Sequence, residues 1–414
     1  MQNLGTDGSD PFQDFGLREF KLTHSDRKTP IEFEKPVAYT LYRRKSMEDA
    51  QRYESAKRFA SVIGFVLDIG ILIYLLTSHL SIRIREFAER FSTSHFLVVA
   101  LYVIAAGAIF KIFDLLLGFY SGYILEHRFG LSRQSLGEWA KDQLKAIALG
   151  VPLGIAGVEV VYAFLRSSPE NWWIYASLVF IAFVVAMTNL APVLLLPLFF
   201  KFKPVESQDL QKRVDRLARQ TNTMVCGIFE WALGEKTRKA NAAVVGWGNT
   251  RRIIVSDTLL QNFSGEEIEV IMAHELCHHV KNHIWQGLAL QSLLTFVGFF
   301  VASRVLPPFS AHFGFRGIDD VADFPLFALV MSSVSLLILP LVNYFSRRLE
   351  TEADLYALDL TGDALAFVSS MEKLAEINLA NKAPNKIIEF IFYSHPCVED
   401  RIKLAADRVG QNVG

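Results

Sequence analysis

Four of the chain's 10 histidines lie between positions 274 and 283, within the run VIMAHELCHHVKNHIW (270–285). His274 and His278 are four apart, with Glu275 between them. On an α-helix that spacing puts both rings on one face, a turn apart, where each can offer a nitrogen to a single zinc ion. Glu275, one position on, reaches water on the metal without being a ligand. Zinc lowers that water's pKa to about 7, and a carboxylate beside it takes the proton as the water attacks a carbonyl. The spacing predicts metal-assisted hydrolysis.

Two histidines leave a zinc site short of a protein ligand. The metzincin pattern asks for a glycine and a histidine where Lys281 and Ile284 stand, which excludes that class. His279 and His283 fall off the face shared by His274 and His278, and are expected to be polar interface residues. A carboxylate is wanted, and SRRLETEADLYAL (346–358) offers Glu350 and Asp354, four apart on one helix face. One of the pair can bind zinc while the other hydrogen-bonds a ligating histidine from behind.

The elements that position these groups belong to a membrane protein. The chain of 414 residues is 51% hydrophobic with 33 phenylalanines, and its mean hydropathy is +0.26. Its net charge of -1 and lack of a basic, aromatic-interleaved stripe exclude a nucleic-acid partner. Cys226, Cys277 and Cys397 are odd in number and widely spaced, so no disulfide framework is expected. Residues 1–58 read as a polar, partly disordered segment without a signal peptide. Six apolar stretches reach spanning length, at about 59–80, 96–121, 146–166, 172–200, 284–306 and 322–345. The third is interrupted by Pro152 and Glu159, which also suits a re-entrant helix. Asp68, Lys111, Asp114 and Glu159 lie inside spans, either as pairs between packed helices or facing a watery interior.

Six spans put the N-terminus, the 122–145 loop, the 201–283 insert and the 346–414 tail on one side. Arg43, Arg44, Lys45, Arg128, Arg133, Lys201, Lys203, Arg347 and Arg348 cluster on that side, against Arg83, Arg85, Arg90 and Arg316 opposite. The asymmetry predicts a cytoplasmic insert and zinc site. Within the insert, VESQDLQKRVDRLARQ reads as an amphipathic helix. MVCGIFEW, NAAVVGW and RRIIVS read as strands, the last two joined by a turn at Gly248-Asn249. Ser264 and Glu267 form a capping box ahead of the histidine helix. The fold class is mainly α: a polytopic helical membrane protein of about six spans with a small α+β metalloprotease domain.

HELCHHVKNH followed by SRRLETEAD resembles the type I CAAX prenyl protease family, membrane zinc endopeptidases whose core reads HELGH and then S-R-x-x-E-x-x-A-D. The likeness extends to EHRFGLSRQSLGEW, NLAPVLLLPLFFKFKPV, NAAVVGWGNTRRIIVSDTLL and SHPCVEDR, and so to nearly everything from residue 45 onward. It implies one Zn2+ per chain on His274, His278 and Glu350, Glu275 as general base and Asp354 behind a ligand. His395 and Arg401 would line the cleft and steady the oxyanion or the substrate. It also implies a water-filled chamber enclosed by the helices, a peptide or protein substrate, and a place in the bilayer, here a bacterial inner membrane. Substrate would lie along Asn241, Ala242 and Ala243, whose small side chains let a peptide approach a strand edge. The family's HELGH glycine is Cys277 here.

Two other readings compete. A site-2-type intramembrane protease would want a Leu-Asp-Gly aspartate, which LDLTGD (358–363) does not supply. A transporter with an incidental histidine cluster, or a metal-bound scaffold, would have no need of Glu275.

Overall fold

A computed structural model describes residues 37–246 and 251–412. In chain order, the N-terminal membrane part comprises α1 (Val37–Thr77), α2 (Leu80–Glu89), α3 (His95–Phe119), α4 (Leu125–Arg128), α5 (Leu136–Ser167), α6 (Trp172–Leu190) and α7 (Leu196–Phe199). The insert follows, with β1 (Phe202–Pro204), α8 (Gln208–Gln220), β2 (Ile228–Trp231), β3 (Ala242–Val245), β4 (Arg252–Ser256), α9 (Asp257–Asn262) and α10 (Gly265–Val280). Two long helices, α11 (His283–His312) and α12 (Phe324–Thr361), return through the apolar zone. The tail is α13 (Ala364–Ile377), α14 (Lys386–Phe392) and α15 (Val398–Asn412).

Six helical segments are long and apolar enough to cross a membrane: Met47–Thr77, His95–Arg128, Leu136–Ser167, Trp172–Phe199, His283–His312 and Val321–Thr361. They correspond to the six stretches read from the sequence. α5 runs unbroken through Pro152 and Glu159, because an apolar solvent penalises any backbone left outside a helix more than it penalises one missing N–H. α1 starts at Val37, within the stretch expected to be a polar segment, while residues 1–36 lie outside the described residues. Single π-turns join α3 to α4 at Tyr120–Ile124 and α6 to α7 at Ala191–Leu195. Pro192 accounts for the second, since it removes a donor from the regular ladder. At most 22% of any span's apolar window is buried inside the protein. Helices this exposed need lipid on their outer faces.

Contacts at the two ends of the long helices fit spans that alternate in direction. At one end Ser81 Oγ lies 2.6 Å from both the Tyr102 hydroxyl and the Ala322 carbonyl. There Arg85 pairs with Asp320, and Arg316 forks Glu89 at 2.5 and 3.1 Å. These contacts bind the 78–94 and 313–323 segments together. At the other end Arg133 N donates to the Lys236 carbonyl and Arg238 N to the Leu131 carbonyl, both at 2.8 Å, fixing the loop after α4 to the insert. Lys111 and Asp114 form a 2.5 Å pair along α3.

The sheet has order β1-β2-β4-β3. β4 lies parallel to β2 and antiparallel to β3, as a hairpin requires, although the turn at Gly248-Asn249 lies outside the described residues. Alternation along β4 sends Ile253 and Val255 into a core shared with Leu259, Met272, Ala273 and Leu276 of the following helices. Ala357 of α12 and Phe367 of α13 complete that core, so the last span and the tail are welded to the insert. β3 is an edge strand.

Candidate metal centre

α10 begins where the sequence placed it. Glu267 N donates to Ser264 Oγ at 3.3 Å, and Ser264 N donates to the Glu267 carboxylate at 2.8 Å. Lys373 (2.8 Å) and Ser369 (2.5 Å) also donate to Glu267, so the capping box ties α10 to α13. From this start, residues 267–274 run through the core, and His274 emerges beside α12.

The two helices bring three donors together. The Nε2 atoms of His274 and His278 are 3.4 Å apart. Glu350 on α12 sets Oε2 3.2 Å from His274 Nε2 and Oε1 3.6 Å from His278 Nε2. Donors at the corners of a tetrahedron around zinc, each about 2.1 Å from the ion, stand about 3.4 Å apart. Glu350 Oε2 is buried and receives no aligned hydrogen bond, leaving a carboxylate oxygen that a cation would satisfy. Burial alone would lower His274, but the close carboxylates of Asp354 and Glu350 outweigh it and lift the ring to about 9. His278 is pushed down to about 4 by burial and by its neighbour His274. A field that holds a proton on one ring favours a positive ion there, and the residues fit zinc.

Asp354, fully buried, lies with Oδ1 2.9 Å from His274 Nδ1, a close contact that is not aligned as a hydrogen bond. Arg401 forks Asp354 at 2.7 and 2.5 Å through Nε and Nη2. The structure thus places Arg401 against Asp354, behind the His274 ring. His395 Nε2 lies 3.4 Å from Glu350 Oε2, with its side chain 59% exposed at the mouth of the site. Glu275 makes no hydrogen bond or ion pair among the described residues, and burial pushes its carboxyl up to about 7. Cys277 is wholly buried, burial pushes its thiol up to about 12, and its sulfur is not in the donor group formed by His274, His278 and Glu350.

His283 differs from the expectation. Asn282 adopts a left-handed conformation (φ 58°), ends the helical course of α10, and turns His283 back toward the site at the start of α11. Its Nδ1 meets His278 Nδ1 at 3.1 Å. His279 does point elsewhere, its Nε2 lying 3.1 Å from the Val244 carbonyl of β3. An asparagine directly before a histidine, tolerant of the left-handed region, was the available sequence signal for the break. Arg347 was also missed. It donates to the carbonyls of Glu389 (3.0 Å) and Tyr393 (2.5 Å), which seats the end of α14 and the segment carrying His395.

Asn241, Ala242 and Ala243 lie at the edge strand. Ser256 N donates to the Asn241 carbonyl at 2.9 Å, so residues 241, 243 and 245 bond toward β4 while 242 and 244 face the open edge. Asn241 Oδ1 already accepts the Ala242 N–H (2.9 Å), and His279 takes the Val244 carbonyl. A second group of possible ligands, Glu389, Cys397 and Asp400, surrounds the Lys386 ammonium at 3.1, 3.9 and 2.6 Å, which fills that site without a metal.

Residues 204–409 match a family model described as peptidase family M48, and residues 20–201 match one described as CAAX prenyl protease N-terminal, five membrane helices. Four long apolar segments occur in that second range among the described residues. The chain is 31% identical over 360 residues to "Uncharacterized metalloprotease YhfN" of Bacillus subtilis (strain 168), covering 86% of this chain and 84% of that protein. It is 27% identical over 311 residues to "CAAX prenyl protease 1" of Saccharomyces cerevisiae, covering 70% of this chain and 68% of the yeast protein. The crystal structure of S. mikatae Ste24p superposes with a TM-score of 0.78 at 22% identity, over 87% of this chain and 89% of that one. That likeness extends the shared architecture across both membrane parts and the insert.

Proposed function

The chain belongs to peptidase family M48, and from that premise we propose that it is a membrane-embedded zinc endopeptidase cleaving peptides or membrane proteins. The observation that carries the reading is the convergence of His274, His278 and Glu350, with donor atoms 3.2–3.6 Å apart, beside an unpaired Glu275. His274, His278 and Glu350 hold one ion. When bound, zinc supplies Lewis acidity that lowers the pKa of water and polarises a peptide carbonyl.

The chain's own residues do the rest. Glu275, unpaired and next to His274, accepts the nucleophile's proton and returns it to the leaving amine. Asp354, gripped by Arg401, keeps the His274 ring facing the ion. His395 stands at the open side beside Glu350, where a donor can steady the developing oxyanion. The outward groups of Ala242 and Val244 offer an extended substrate a strand edge, next to the zinc helix through the His279 contact. The Lys and Arg distribution supports a cytoplasmic site, and the 31% identity to the Bacillus subtilis protein supports placing it in a bacterial inner membrane. Relatives named CAAX prenyl protease 1 bring prenylated tails within the substrate class, alongside unmodified membrane segments.

The test is Glu275→Gln. This variant should take up zinc and fold as the parent does yet lose peptide cleavage, since it removes the base and spares all three ligands. Undiminished turnover would refute the reading. Comparing the membrane proteomes of cells carrying the parent and the variant would identify the substrates.

A further inference from the structure

The two ligating histidines are supported differently. His274 has a carboxylate directly behind it, because Asp354 follows Glu350 by one turn of α12 and lies on the same face. His278 has none. Glu352, the other nearby acid, is rotated about 200° from Glu350 around the helix and does not reach the His278 ring. The space between them is occupied by His283, whose side chain is 2% exposed. His283 presents Nδ1 to His278 Nδ1 at 3.1 Å and Nε2 to Glu352 Oε2 at 3.4 Å. Lys281 approaches the other oxygen of Glu352 at 3.7 Å.

Proton positions follow from these contacts. His278 turns Nε2 toward Glu350 and His274, so the lone pair is needed there and the ring proton sits on Nδ1. Two Nδ1 atoms at hydrogen-bonding distance cannot both donate, so His283 Nδ1 accepts. A neutral His283 then carries its proton on Nε2, a buried atom with no aligned hydrogen bond, for which Glu352 Oε2 at 3.4 Å is the nearby acceptor. Each choice forces the next, and the chain of contacts ends on a half-exposed carboxylate that Lys281 approaches.

We propose that His283 and Glu352 form a positioning relay, Glu352 to His283 to His278, that fixes the tautomer and orientation of the second metal-ligating histidine. The inference rests on the zinc-ligand reading above. It gives a role to a histidine that helical spacing assigned to an interface. It also gives one to an acid two residues from a ligand. Neither residue touches the reacting atoms; both act through His278.

The test measures zinc affinity of the full chain by competition with a chelator, together with the visible spectrum of the cobalt-substituted protein. His283→Ala should weaken zinc about 10- to 100-fold, the usual consequence of removing a ligand's outer partner. It should also change the cobalt bands. His283→Gln, whose amide can accept from His278 and donate toward Glu352, should recover most of that loss. Glu352→Gln, at a half-exposed position where folding is not at risk, should weaken zinc several-fold and leave the thermal midpoint of the metal-free protein unchanged. Parent-like zinc affinity in both His283→Ala and Glu352→Gln overturns the relay alone. Should His283→Ala fail to fold, parent-like affinity in Glu352→Gln overturns it by itself. A parent chain that takes up no zinc overturns the relay and the metalloprotease reading together.

Discussion

Glu350 and Glu352 differ by two positions and have different fates. The first is buried between two rings; the second sits half-exposed beside Lys281. Glu350→Ala should therefore abolish stoichiometric zinc, whereas Glu352→Ala should retain about one ion per chain when zinc is saturating, with metal analysis as the readout. Full zinc in the first and loss in the second would reverse the assignment. The Glu275 carboxyl, raised to about 7 by burial, predicts an acidic limb in the pH profile. The base must be ionised, so kcat/KM falls as pH drops through its pKa. A bound dication pulls that value below 7, and the midpoint should lie between the ordinary carboxylate value and neutrality. A kcat/KM profile with no acidic limb between the ordinary carboxylate value and neutrality would remove Glu275 from the base role. His274, Glu275, His278, Glu350 and Asp354 were legible because each set lies on one regular helix, where spacing is geometry. His283 was not, since a left-handed Asn282 breaks that geometry. Nor was the Arg401 grip on Asp354, a contact between residues 47 apart in sequence.

At the scale of elements, β3 makes the sharpest claim. Its pairing sends the Ala243 N–H toward β4 and the Ala242 N–H toward the open edge. Ala242→Pro should spare the ladder, keep zinc, and slow cleavage by removing an edge donor and the Asn241 bond to it. Ala243→Pro should lower the thermal midpoint as well, because it takes a bond from the sheet. Parent-like turnover in a folded Ala242→Pro would place substrate away from this strand. The strands, the amphipathic α8 and the Ser264–Glu267 start of α10 followed from period and capping chemistry. The π-turns and the extension of α1 to Val37 did not, since an irregular turn and a polar helical stretch leave little periodic trace.

For the molecule as a whole, the spans were legible from apolar length alone, and the contacts at the two ends agree with their alternation. What the sequence could not show is how the ends are tied, through Arg85–Asp320 at one and the Arg133–Lys236 backbone bond at the other. The orientation in the cell can be tested without engineering. Cys226 is exposed on the insert, while Cys277 and Cys397 are buried. A membrane-impermeant thiol reagent should label Cys226 in inverted vesicles and not in intact cells. The opposite result would put the site outside. α12, which crosses the apolar zone, continues unbroken to carry Glu350, while the two histidines ride on α10, anchored in the insert's own core. Yet the core that seats α10 also holds Ala357 of α12, seven residues past Glu350, so the two helices meet the site as one body. A slide of α12 by a single residue would be 1.5 Å, several times the roughly 0.2 Å tolerance of a metal bond. The shared core resists that slide, so a span displaced by a thicker or thinner bilayer should carry all three donors with it and keep their spacing.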